Sequence, residues 1–146
     1  MADAVDTPWP TENIPDQDLL YMRVHRNNTR DGAPTAGAFK RHGEGLSTDW
    51  AKYCAGPEDT RGRAKSSQPQ DHAIVSFVVG NVRADPRFTV MHTPIQRTIE
   101  DPIGNRAHAD IRATADVSKT EFRAKLSDLC KVEILLDAPL SLTTDH

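Results

Sequence analysis

Six histidines stand at positions 25, 42, 72, 92, 108 and 146, and imidazole is the side chain that both titrates near neutral pH and binds transition metals. No two of them have the His-x-His or His-x3-His spacing that sets two ligands on one strand or helix face, and no Glu is placed for a zincin motif. Neither a metal site nor a bound cofactor is therefore expected. The most suggestive pair is His92, in Met91-His92-Thr93-Pro94, and His108, in Ala107-His108-Ala109-Asp110. Each lies at the edge of a predicted strand, and a long loop joins them. On neighbouring strands the two imidazoles would face one cavity and divide general-acid and general-base duty on a phosphoester, with Arg106 or Arg112 stabilising the developing negative charge.

A second constellation is basic. Arg61-Gly62-Arg63-Ala64-Lys65, with Arg23, Arg26 and Arg30 nearby in sequence, offers cations for a phosphate or for nucleic acid. Trp50 and Tyr53 precede the cluster and Trp9 lies far upstream, so the aromatic interleaving that stacks single-stranded bases is missing. A solvated loop accounts for the same residues. Gly43-Glu44-Gly45 lacks the Lys-Ser/Thr pair of a phosphate-binding loop, and neither Ser47 nor Ser76 stands in a nucleophile elbow. Cys54 and Cys130 form no Cys-x-x-Cys motif and read as reduced, buried thiols, although the sequence also allows one disulfide.

Arg23 on the first predicted strand, Ser47-Thr48 on the second and Glu133 on the last follow an order that resembles the arginine, serine-threonine and glutamate strands of the mono-ADP-ribosyltransferase family. That resemblance implies residues that hold a dinucleotide and act on its ribose. Lys131 stands where the family carries an acidic residue or glutamine two places before the glutamate.

These groups depend on the elements that carry them. Leu20, Met22 and Val24 alternate with Tyr21, Arg23 and His25, which is strand periodicity. A turn-rich stretch follows, then a short helical segment capped by Thr35, a short strand over 46–50 and a helical turn opened by Pro57. The spacing of Ile74, Phe77, Val78 and Val82 predicts a helix over 72–83, capped by Asp71, although the β-branched content also permits a strand. Strands are expected from Phe88 to His92 and from His108 to Thr114, with a long loop around Asp101-Pro102 and Gly104-Asn105 between them. Ser118-Lys119-Thr120-Glu121 is a capping box, and Val117 with Phe122 has the spacing of a hydrophobic staple, so a helix begins at Lys119. A last strand over 132–136 precedes a polar tail at 138–146.

The order mixes strands and helices without a regular βαβ rhythm, so the expected fold is α+β: a mixed or antiparallel sheet with the two main helices packed on one face. With 146 residues, one domain spanning 19–137 is expected. Residues 1–18 hold five acidic side chains, three prolines and no Lys or Arg, and read as a mobile acidic leader. Residues 19–65 hold nine basic against five acidic side chains. A net charge of -3 argues against bulk coating of nucleic acid. The longest apolar run, 73–80, is too short to cross a bilayer, and the acidic start suits neither a secretory signal nor a transit peptide, so a cytoplasmic location is expected. The expected function is a small soluble binding or regulatory module that works through a partner protein. Its contact surface would be the leader, the Arg-rich loop or the loop around Asp101, and the alternative is an enzyme acting on a small phosphorylated ligand through His92 and His108.

Overall fold

Strands satisfy their backbone hydrogen bonds and bury an apolar face by pairing side by side, and here six of them form one antiparallel sheet. The structure is a computed structural model that describes residues 7–31, 33–40, 45–63 and 68–136. In chain order the elements are β1 (Leu19–His25), a small hairpin of β2 (Thr29–Arg30) and β3 (Ala33–Pro34), β4 (Gly45–Trp50), α1 (Pro57–Gly62) and β5 (His72–Val78). There follow α2 (Val79–Arg83), β6 (Phe88–His92), β7 (His108–Ala113), α3 (Lys119–Leu129) and β8 (Lys131–Ile134). The strand order across the large sheet is β6-β7-β4-β1-β5-β8. The expected tail at 138–146 and the residues His42, His146 and Lys65 lie outside the described residues.

Register decides which residues share a face. Leu20 lies opposite Trp50 and Phe77, Met22 opposite Val75, Leu46 opposite Ile111, and Val90 opposite Ile111. These side chains form the core, together with Val79 and Val82 of α2 and Phe122 and Leu126 of α3. The rings of Phe88 and Phe122 stack with centroids 5.6 Å apart, joining the edge strand β6 to α3. The opposite face carries Tyr21, Arg23, Asp49, Ser76, His108 and Asp110. Helix α1 lies on that side, where its Thr60 carbonyl accepts a hydrogen bond from Arg23 Nη1 at 3.1 Å.

The segment 72–83 departs from the helix expected there. Residues 72–78 form β5, and only Val79–Arg83 is helical. Strand β5 runs between β1 and β8, and all its residues but Val78 are buried. A strand covered on both faces carries apolar residues at successive positions, as Ala73-Ile74-Val75 and Phe77 do here, which weakens the period-two signal and leaves a run that mimics a helix.

Helix α3 begins where the capping box places it. Ser118 Oγ accepts from the Glu121 amide at 3.0 Å, and Val117 and Phe122 are both buried. The Glu121 carboxylate is engaged by Arg87, whose guanidinium also holds Asp85 at 2.9 Å, so the helix start is tied to the turn that leads into β6. That guanidinium holds the Asp85 carboxyl well below the usual carboxylate range. Replacing the cap by Ser118→Ala should lower stability by about 1 kcal/mol. In urea denaturation this reads as a lower midpoint with an unchanged slope; an unchanged midpoint would show that Arg87 alone fixes the helix start.

Candidate functional site

The four residues expected to converge on a phosphoester are divided between the two faces of the sheet. His92 lies opposite Ala109 in the β6–β7 pair, so His108, the next residue along, points to the other face. His92 is buried at the end of the core, edge-on to Trp50 at 5.1 Å and stacked beside Tyr53 at 6.0 Å. Its Nδ1 accepts from the Glu12 amide at 3.0 Å, so Nε2 carries the proton and donates to the Arg106 carbonyl at 2.7 Å. Both ring nitrogens are occupied within the protein. His108 directs Nδ1 to the Thr93 carbonyl at 2.9 Å, and its Nε2 lies 3.9 Å from Asp110, which Arg112 holds at 3.1 Å. Arg106 stays with the first group, its guanidinium 4.5 Å over the Tyr53 ring.

The basic constellation also turns inward. Arg61 Nε lies 3.0 Å from the carbonyls of Pro69 and of His72. Arg63 pairs with the buried Asp49 at 2.9 Å, and Arg23 donates to Thr60. Of the residues in the transferase-like order, Ser47 is exposed, while Glu133 accepts a hydrogen bond from Ser76 Oγ at 2.7 Å. Burial pushes the Cys54 and Cys130 thiols up, and both cysteines are free. Among the described residues no group of His, Cys, Asp and Glu could hold a metal ion.

Residues 7–18, the described part of the acidic leader, lie along the domain in contact with it. Gln96 reads the Trp9 backbone in both directions: its amide nitrogen donates to the Trp9 carbonyl at 2.9 Å, and its oxygen accepts from the Trp9 amide at 2.8 Å. Arg97 stacks over the Trp9 indole at 4.4 Å and donates to the Thr7 carbonyl at 3.1 Å. Glu12 receives Lys52 Nζ at 2.6 Å and the Tyr53 hydroxyl, with Arg106 Nη2 at 3.8 Å. Ile14 is buried in the core, Arg83 pairs with Asp16 at 2.8 Å, and Asp18 accepts from Trp50 Nε1 at 2.9 Å. The physical reason is charge and burial together: an acidic strap meets four cations, and its one buried aliphatic side chain completes the core.

The strap braces the β6–β7 loop, which is internally ordered. Ile95 and Asn105 exchange backbone hydrogen bonds at 2.9 and 2.8 Å and close its base. Thr98 and Asp101 form a turn in which the Thr98 amide donates to the Asp101 carbonyl and the Asp101 amide to Thr98 Oγ1, both at 2.9 Å. Gly104 takes φ +59, and a Cβ there would lie 2.5 Å from the Ile95 carbonyl oxygen and 3.0 Å from the Trp9 ring. This scaffold holds three isoleucines in solvent: Ile95 is 45% exposed, Ile99 95% and Ile103 81%. Exposed Glu100 and half-buried Asp101 lie between the outer two.

A signal for this surface was present in the sequence. Isoleucines four residues apart would form a helical stripe, but Asp101-Pro102 and Gly104 forbid the helix, so the side chains have no shared face on which to be buried. Compared with protein-family models, with curated proteins and with solved structures, the chain shows no match.

Two measurements test the strap and the loop. The Glu12 carboxyl is held below its ordinary range, chiefly by the hydrogen bond from Lys52 and then by that from Tyr53. A depressed carboxyl contributes stability that is present above the unfolded value of about 4.3 and is lost as pH falls through the folded one. Protection of the Glu12 amide should thus hold between about pH 7 and pH 5 and fall below about pH 4. The Glu12→Gln variant should lack that step; an identical step in the variant would place the titration elsewhere. Gly104→Ala should cost more than about 1 kcal/mol and alter Trp9 fluorescence. Wild-type stability and fluorescence in that variant would contradict the close approach of Trp9, Gly104 and Ile95.

Proposed function

We propose that this chain is a protein-binding module whose contact surface is the β6–β7 loop. The observation that carries the reading is an ordered loop that keeps Ile95, Ile99 and Ile103 in water. Single exposed aliphatic residues are ordinary, but three on one hydrogen-bonded loop concentrate exposed apolar surface in the way that marks interaction sites. Met91, on the strand that enters the loop, is 42% exposed as well. Burying one isoleucine fully contributes about 1.5–3 kcal/mol, so two or three of them supply a hot spot without help from a catalytic centre.

The competing contact surfaces are less available. The leader is engaged from Thr7 to Asp18, and the described arginines of the Arg-rich loop use their donors on backbone carbonyls, on Asp49 and on Cys54. The acidic residues between Ile99 and Ile103 suit a partner that offers apolar pockets with a cationic rim.

Affinity isolation with the wild-type chain and with Ile99→Asp and Ile103→Asp, compared by quantitative mass spectrometry, tests the reading. A specific protein should be retained by the wild type and reduced about tenfold or more with each variant, while urea midpoints stay unchanged because both side chains lie in solvent. Equal retention by all three chains would remove the loop as the contact surface.

A further inference from the structure

We propose that the surface holding residues 7–14 is a recognition site for an extended peptide from another protein that carries an aromatic residue, a carboxylate and a branched aliphatic residue, and that the chain's own leader is its resident occupant. The site borders the isoleucine loop, which supplies Gln96, Arg97 and Arg106, but the proposal rests on how the leader is held and not on the exposed isoleucines. Thr7 to Pro15 form neither helix nor strand, and the folded body binds them through its side chains. Four of these contacts read main-chain atoms and would serve any sequence: Gln96 on Trp9, Arg97 on the Thr7 carbonyl, His92 on the Glu12 amide, and Arg83 on the Ile14 carbonyl.

Three further subsites read side chains. Arg97 covers an aromatic ring at Trp9. Lys52, the Tyr53 hydroxyl and Arg106 surround a carboxylate three residues later. The core accepts a branched aliphatic residue two positions beyond, where Ile14 is 3% exposed. The chemistry recognised is therefore an extended segment with an aromatic residue, a Glu at the third place after it and an Ile-like residue at the fifth. Charge complementarity supports that occupant at one place, since Lys52 and Arg106 both face Glu12, the single acidic residue of the bound segment.

The anchor that would remain after exchange is also defined. The Asp16 carbonyl accepts from Gly80 N at 2.8 Å and the Asp18 carbonyl from Val79 N at 3.0 Å, which ties the start of β1 to α2. Exchange would pivot at Pro15 and leave the six-stranded sheet intact. Tethered there, the leader competes at an effective concentration on the order of millimolar. A peptide in trans enters only once the leader's own contacts are weakened, so the leader gates the site.

The test uses the full-length chain and fluorescent synthetic peptides with the sequence of residues 7–15, one native and one carrying Glu12→Gln. The proteins are wild type and a double variant, Trp9→Ala with Glu12→Gln, whose own leader has lost two anchors. The double variant should bind the native peptide saturably, and wild type about tenfold more weakly or less. The Gln peptide should bind the double variant about tenfold more weakly than the native one, the effect of losing a charge-assisted contact. Adding Ile99→Asp to the double variant should leave peptide binding unchanged, which separates this site from the exposed isoleucines. A folded double variant that fails to bind, or that binds both peptides equally, overturns the proposal, as does loss of binding on Ile99→Asp. If the double variant does not fold, native-state hydrogen exchange on wild type decides. The Glu12 amide should open well before the amides of Val75 and Phe77, and exchange of all three only through global unfolding overturns the proposal.

Discussion

A buried imidazole has two nitrogens that must each find a partner, and at His92 this requirement organises one end of the molecule. Its ring lies among Trp50, Tyr53 and the core, out of reach of bulk water. The Arg106 carbonyl accepts a hydrogen bond from one nitrogen, and the Glu12 amide donates to the other. The leader is therefore a structural partner of β6. Once Glu12 is fixed at that depth, its carboxylate falls among Lys52, Tyr53 and Arg106, and the residues upstream lie along Gln96 and Arg97. Trp9 then closes against Gly104, so a hydrogen bond in the core is connected through the strap to the loop that carries the isoleucines.

The same connection explains why the loop can expose apolar side chains and stay ordered. A loop of polar residues would hold its shape through side chains that bond back to the chain, and Thr98, Asp101 and Asn105 do this here. The side chains of Ile99 and Ile103, 95% and 81% exposed, contribute little to that order. Their exposure carries a hydration cost that only a covering surface would relieve, while the rigidity below them lowers the entropy lost when such a surface arrives.

Much of the fold was legible where local physics dominates. The alternation in β1, β6 and β7, Pro57 at the start of α1, and the Ser118 cap of α3 each reflect a period or a terminus that a few neighbouring residues determine. The reading broke down where distant parts of the chain decide. Strand β5 reads as a helix because its neighbours bury both faces, and the neighbours lie far away in sequence. The acidic residues of the leader have no local partners in sequence, and the cations that meet them, Lys52, Arg83 and Arg106, lie 40 to 94 positions away. Asp49, 3% exposed between Arg63 and Asn105, carries no local mark of burial at all.

The separation of His92 from His108 has the same origin and shows how narrowly register governs chemistry. Side chains alternate with a period of two, so pairing His92 with His108 would have put both rings on one face as direct neighbours. The pairing found is His92 with Ala109, one residue away, and it is fixed by apolar contacts further along the strands, where Val90 and Ile111 lie opposite each other in the core. A slip of one residue would expose Val90 and Phe88 on β6 or Ala109 and Ile111 on β7, against a burial gain of about 1.5–3 kcal/mol for each large aliphatic or aromatic side chain. The apolar pattern therefore outweighs any benefit of bringing the imidazoles together. Catalysis needs groups from several strands to converge and is exposed to that competition. Recognition by a loop between two strands is not, because its side chains extend beyond the ladder and their exposure does not depend on which residue of β6 faces which residue of β7.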